Sequence, residues 1–302
     1  MRIFLTGSTG VIGRRAVPLL VAARHHVTAV ARSPEKRLAL ERAGASAVTV
    51  DLFDPLAVRQ AVHGHDAVIN LATHIPPATR AFFPGAWREN SRVRRLTSAN
   101  LAAAAIAEGG ARMIQESFAP IYADMGDRWI DETAPTIPAR YNRAVLDAEA
   151  ATERAQGVVL RFAYFYGPDS DFTRAFLASV RKGRAQLIGD PAGFWPMVSH
   201  DDAASAVVAA LTVPAGIYNV VDDEPLRRRE LVDSLAATLN APPPKLLPAW
   251  LKYLLGSLGE TLSRSQRISN RKLKAASGWV PRWRSAREGL AEVIADRGEP
   301  VR

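Results

Sequence analysis

The stretch TGSTGVIG, residues 6–13, sets Gly7, Gly10 and Gly13 at the spacing G-x-x-G-x-x-G, directly between a strand pattern and a helix pattern. Glycines at this spacing permit a tight turn and let the backbone approach a pyrophosphate. The start of the following helix offers its free N–H groups to the phosphate charge, with Thr9, Val11 and Ile12 carrying the loop between the glycines. In this strand–turn–helix context the motif reads as a dinucleotide site; a glycine-rich turn without a ligand would need no third glycine at this spacing. The second strand selects the dinucleotide. A carboxylate at its end would hold a ribose 2′-hydroxyl, as NAD requires. Here the strand ends Ala31-Arg32-Ser33 and Arg14 follows the loop, so two guanidinium groups are offered to a 2′-phosphate. NADP(H) is expected ahead of NAD(H); the plainer alternative for Arg32 is a surface arginine at a strand end.

Other side chains suited to chemistry are scattered. His74 directly follows a strand in LATHIPP; an imidazole there can serve as acid or base near neutral pH, or be a loop histidine bonded to backbone. His200 precedes Asp201 and Asp202 at a helix start, where the aspartates read as capping residues rather than as parts of a hydrolase triad, and no metal site is expected. WRENSRVRR, 87–95, places Arg88, Asn90, Arg92, Arg94 and Arg95 on one helix start. They suit an anionic substrate if they face the crevice, but a solvated helix face is the simpler reading.

The elements that must position these groups alternate. Strand patterns cover 2–6, 26–32, 46–51, 66–73, 111–117 and 157–167, and helix patterns cover 11–23, 35–44, 56–64, 86–108 and 139–155. Strands apolar on both faces, alternating with helices, predict an α/β fold with a doubly wound parallel sheet of the Rossmann type, its ligand crevice at the strand C-termini. After Pro168 the rhythm loosens. Helices are expected at 172–183, 200–211 and 228–239, and a strand at 216–222. The division expected is a dinucleotide-binding domain of residues 1–167 and 197–225, with a smaller C-terminal substrate-capping lobe of residues 168–196 and 226–302. PAWLKYLLGSLGETL, 248–262, is mostly apolar. It can cap the pocket, pair two copies as a homodimer or lie on a membrane; packing within the small lobe is the simplest use.

The 302 residues are 48 % hydrophobic and 23 % charged, in the ordinary range for a soluble globular protein. Without cysteine, disulfides, iron–sulfur clusters and thiolate zinc sites are excluded. No apolar run reaches the ~18 residues of a membrane span, and no secretory leader pattern opens the sequence, so a cytoplasmic protein without a membrane partner is expected. The net charge is +9; residues 226–302 hold 15 Lys+Arg against 7 Asp+Glu. That excess suits an acidic ligand or a solvated surface, but it lacks the aromatic-interleaved stripe of a nucleic-acid binder. The partner expected is a small molecule.

Several segments carry a family likeness: TGSTGVIG, Asp51-Leu52, NLAT (70–73), LRFAYFYGP (160–168), SHDDAASAVVAAL (199–211), YNVVDDEP (218–225) and GWVPRW (278–283). Along nearly its whole length the chain resembles the extended short-chain dehydrogenase/reductases, which include sugar-nucleotide epimerases and dehydratases. The resemblance implies hydride transfer at the nicotinamide C4, Asp51 and Leu52 beside the adenine, and Leu71, Ala72 and Thr73 along the cofactor. It also implies an active site of Ser/Thr, Tyr and Lys, the last two as YxxxK. Tyr141 starts the helix after the fifth strand, as the family tyrosine does. A free tyrosine has a pKa of about 10, and a cation one helical turn away would bring its phenolate within reach of neutral pH. That position holds Val145, and none of the six lysines lies in this helix. Aligning Tyr122 with the tyrosine of the family's VYG puts Phe118 at the serine position and Ser117 beside it. Two readings follow. One is an NADP(H)-dependent oxidoreductase or epimerase/dehydratase-like enzyme with Tyr141 as proton donor, assisted by Ser117 or His74. The other is a dinucleotide-binding protein without hydride chemistry.

Overall fold

A computed structural model of the chain describes residues 1–77, 79–83, 85–185, 187–248 and 250–296. The first half alternates β1 (Arg2–Thr6), α1 (Gly13–Ala22), β2 (His26–Val30), α2 (Pro34–Arg42), β3 (Ser46–Val48), α3 (Pro55–Val62) and β4 (Ala67–Asn70). Then come α4 (Arg88–Arg92), a π-helical turn at Val93–Thr97, α5 (Ser98–Ala107), β5 (Arg112–Phe118), β6 (Trp129–Ile130), α6 (Ala144–Arg154), β7 (Val158–Phe162) and β8 (Tyr164–Tyr166). Beyond them lie α7 (Asp171–Arg181), β9 (Arg184–Ala185), β10 (Phe194–Trp195), β11 (Met197–Ser199), α8 (His200–Ala209), β12 (Gly216–Val220) and α9 (Arg228–Thr238). The last helices are α10 (Leu251–Leu254), α11 (Gly256–Ser263), α12 (Arg271–Ser277) and α13 (Ala286–Ala295).

The central sheet is seven-stranded, in the order β12-β7-β5-β4-β1-β2-β3, and every pairing in it is parallel. The chain leaves β1 toward β2 and β3, then returns to place β4 on the other side. That reversal opens a crevice beyond the C-termini of β1 and β4. Alternation along the strands sends neighbours to opposite faces. Ile3 and Leu5 of β1, with Ile69 of β4, join the core that α1 and α8 cover. Phe4 and Val68 join the core that α3 and α5 cover. Burial on both faces is the reason these strands read as continuous apolar runs. A further core is built by Phe176 and Val180 of α7, Leu231 and Leu235 of α9, and Leu290 and Ile294 of α13. Ile268, Leu273 and Trp279 pack with the sheet core instead, so the late chain is shared between the two cores.

Three elements differ from their sequence pattern where they approach the crevice. The strand expected over 157–167 breaks at Ala163: Ala163 N–H still donates to Val220 O, while Tyr164 N–H donates to Pro196 O, and β8 pairs with β11. The helix expected from residue 139 starts at Ala144. The turn before it closes through shorter bonds, Asn142 N–H to Ala139 O and Val145 N–H to Asn142 O, so Tyr141 stands outside the helix. The helix expected over 86–108 is interrupted by the π-turn.

Candidate active site

The loop after β1 is shaped by close backbone approach. Gly7 has φ +70°, and a Cβ there would collide with the carbonyl group of Leu71, just past β4. A Cβ on Gly13 would collide with the Gly7 carbonyl oxygen. This cradle of bare backbone at the first turn of α1 fits a pyrophosphate. A cleft of about 370 Å³ extends from it over the ends of β2 and β3. Among the residues singled out from sequence, Gly7, Thr9, Gly10, Arg32, Asp51, Leu52, Leu71, Ala72, Thr73 and His74 line it. Lys36 lines it too. Ser33 accepts a bond from the Lys36 N–H as the N-cap of α2, which fixes the turn carrying both Arg32 and Lys36. Arg14 lies elsewhere: its guanidinium is paired with Asp169, which Arg15 also contacts at 3.0 Å. The cations that line the cleft at the β2 end are Arg32 and Lys36.

A second cavity of about 320 Å³ shares Gly7, Gly10, Leu71 and Thr73 with the cleft, and Val11, Ile12 and Gly13 also line it. Its walls are mostly apolar and aromatic: Trp87, Phe118, Tyr141, Tyr164 and Phe165, with Val145 from α6 and Leu258 and Leu262 from α11. The apolar segment 248–262 thus closes this cavity through α11. Val145 and Phe118 present hydrocarbon to it. Burial pushes the Tyr141 phenol up to about 12, with the Thr261 hydroxyl, Arg264, Asn142 and Arg94 pulling the other way.

Ser117 and His74 are not brought to Tyr141. Ser117 is fully buried, and its hydroxyl donates to Glu149 of α6. Glu149 is gripped by Arg161 of β7 through Nε at 2.8 Å and Nη2 at 2.7 Å. Adjacent strand residues face opposite ways, so with Phe118 in the cavity wall Ser117 binds helix to sheet. His74 is exposed at the edge of the dinucleotide cleft, with its backbone N–H donating to Asn90 Oδ1 at 2.8 Å. At α8 the cap is Ser199, which accepts from Asp202 N–H, rather than the aspartates. His200 is buried with Nδ1 3.1 Å from Asp169, and burial, then the charge of Arg15, lowers it to about 4. No helix among the described residues is long and apolar enough to cross a membrane.

The protein family described as NAD(P)H-binding matches residues 7–214. The chain belongs to this family, within the extended short-chain dehydrogenase/reductases. A 3-diazoavenalumate denitrifying reductase from a Streptomyces species is 34 % identical over 307 residues, covering 96 % of this chain and 99 % of the relative. A 2-alkyl-3-oxoalkanoate reductase from Stenotrophomonas maltophilia is 29 % identical, covering 87 % of this chain and 83 % of its own. The crystal structure of human epimerase family protein SDR39U1 with NADPH superposes with a TM-score of 0.81 at 23 % identity, over 98 % of this chain and 100 % of that one. As a member of this family the protein is an NAD(P)-dependent enzyme of the oxidoreductase type.

The same cavity holds polar groups that sequence reasoning passed over or left on a solvated face. Arg94, Glu116 and Asn142 line it and are buried. Arg94 Nη2 donates to Glu116 Oε1 at 2.8 Å. Burial raises the Glu116 carboxyl, with Arg94 opposing. Strand alternation offered a signal for Glu116, since it flanks Ser117 as Phe118 does. For Arg94 a regular helix gives no such signal, because a π-turn sets its direction.

Proposed function

We propose that the protein is an NADPH-dependent reductase of a small, flat, unsaturated acceptor, and that the acceptor class it fits best is an aromatic diazo compound. The observation that carries this reading is the dry wall formed by Val145 and Phe118 beside a tyrosine held near 12. Alcohol oxidation and epimerisation begin by taking a proton from a substrate hydroxyl, and a phenol that stays protonated is a poor base for that step. Reduction needs no base. Bound NADPH supplies a hydride. In a diazo arene the new C–H bond forms, the C–N bond breaks and dinitrogen leaves; the hydride cancels the diazonium charge, and no proton moves.

The aromatic walls suit a planar ring, and the name of the Streptomyces relative supports a diazo acceptor. Arg32 and Lys36 support NADPH over NADH, since both line the cleft at the end of β2. A second reading is favoured by the Tyr141 side chain itself, which lines the cavity in its protonated form. With a carbonyl acceptor its hydroxyl would deliver the proton that reduction then requires.

The test uses purified protein, NADPH or NADH, a substituted benzenediazonium salt and an aryl ketone. Protein-dependent NADPH oxidation matched by equal dinitrogen and arene supports the first reading, and ketone reduction the second. No turnover above a heat-denatured control with either acceptor would reject both.

A further inference from the structure

The inner cavity is mostly apolar, and Arg94, Glu116 and Asn142 are among the few polar side chains that line it.

 Arg94 and Asn142 are each 4 % exposed and Glu116 9 %. Yet Nε and Nη1 of Arg94, Oε2 of Glu116 and both amide atoms of Asn142 have no hydrogen-bond partner within the protein. Buried polar atoms are nearly always partnered, so orphans on residues that line one cavity mark a place where a ligand completes the bonding. The neighbouring buried pair shows the contrast: Arg161 grips Glu149 with two nitrogens, and Glu149 also accepts from Ser117. Arg94 meets Glu116 through a single nitrogen.

We propose that Arg94, Glu116 and Asn142 form a recognition site for an acidic oxygen group of the substrate, a carboxylate taken up together with one proton. This deepens the reductase reading and rests on it. The free N–H groups of Arg94 and the Asn142 amide supply donors for a carboxylate, which arginine matches better than any other side chain. The proton follows from charge. Arg94 and Glu116 together are neutral, and adding an anion would leave a net negative charge in an apolar cavity, at high cost. Protonation of Glu116 restores neutrality. Arg94, on the π-turn, opposes that protonation, while Glu149, on α6, favours it, as does burial. Tyr141 stays neutral beside them.

The test compares trans-cinnamate with trans-cinnamamide, two flat probes of one shape, binding to the protein–NADPH complex by calorimetry. Near pH 6 the acid should bind at least tenfold more tightly than the amide. Its affinity should fall by roughly tenfold per pH unit once Glu116 of the free site is ionised, and buffers of different ionisation enthalpy should report the uptake of one proton. Glu116→Gln removes the buried anion, so cinnamate should bind more tightly and without pH dependence, while cinnamamide is unchanged; Arg94→Gln should erase the preference for the acid. A merely structural pair would move both probes alike. Equal affinities of acid and amide, no binding of either, or weaker cinnamate binding by a Glu116→Gln protein that still binds NADPH would overturn the proposal. If that variant does not fold, the wild-type comparison and the proton count decide. Diazonium turnover that persists through such a failure would leave the reductase reading standing.

Discussion

Tyr141 lies against Trp87, with ring centroids 4.6 Å apart and planes inclined at 52°. Both rings line the inner cavity and also a wider outer cleft of about 830 Å³, where Arg88, Arg92, Arg95 and Arg140 gather. The pair therefore stands between a basic outer cleft and a mostly apolar inner cavity, and Tyr141 lines both.

With its phenol held near 12, Tyr141 should contribute no ionisation to the rate profile of reduction between about pH 6 and 9. Tyr141→Phe should leave diazonium turnover within about threefold and lower ketone reduction by roughly 10²-fold, the usual scale for a positioned acid. Steady-state NADPH oxidation with each acceptor measures both. A 10²-fold loss on the diazonium salt would mean that a proton does move in that reaction.

Arg32 and Lys36 share the cleft at the end of β2, whereas Arg14 is held by Asp169. Arg32→Ala and Lys36→Ala should each weaken NADPH by about tenfold, on the order of one charge-assisted hydrogen bond, with little effect on NADH. Arg14→Ala should leave the ratio of the two affinities unchanged. Calorimetric titration gives that ratio; a fall in it for Arg14→Ala would put Arg14 back at the 2′-phosphate.

Ser117 donates to Glu149 and does not line the cavity. Ser117→Ala should therefore lower unfolding free energy by about 1 kcal/mol and leave turnover unaltered. Glu149→Ala strands the Arg161 cation and should cost about 3–5 kcal/mol. Urea unfolding and kinetics on the same samples separate the two effects. Lost turnover in a fully folded Ser117→Ala protein would return the serine to the reaction.

His200 is buried and neutral, lowered from 6.5 to about 4 by burial and then by Arg15. The unfolded chain binds a proton there at a pH where the folded chain does not. Stability should therefore fall as pH drops from about 6.5 to about 4, by on the order of 3 kcal/mol, and level off for this group below that range. His200→Gln should flatten that part of the profile in denaturant unfolding measured pH by pH. An unchanged slope would place the titrating group elsewhere.

The doubly wound sheet was legible because its strands are buried on both faces and its glycines sit where the backbone crosses itself. Those are local demands, written in residue type and spacing. A cleft beside the glycine loop was legible for the same reason, and Arg32 lines it. The Arg14 partner was not legible, because a long side chain beside the loop has two directions open to it and Asp169 is distant in sequence. The bond from Ser117 to Glu149 was not legible, because a strand end settles a one-residue alternation only in three dimensions. Glu116 and Asn142 were passed over because neither belongs to a familiar spacing; their meeting depends on β5 and on the turn before α6. That Val145 would line a cavity among aromatic side chains was not readable, because those side chains come from elements distant in sequence.

The π-turn at Val93–Thr97 holds one residue more than an α-turn of the same rise. With it in place, Arg94 is buried while Arg92 and Arg95 remain exposed. Chain length at this spot is therefore a form of information separate from residue identity. Removing a single residue from the turn would let the helix run on regularly and rotate Arg94 by roughly 100° about the axis, with no substitution in the cavity itself. A whole helix can keep its packing while its one inward charge is switched off, so relatives that share every motif of this chain can still differ in what their cavities accept.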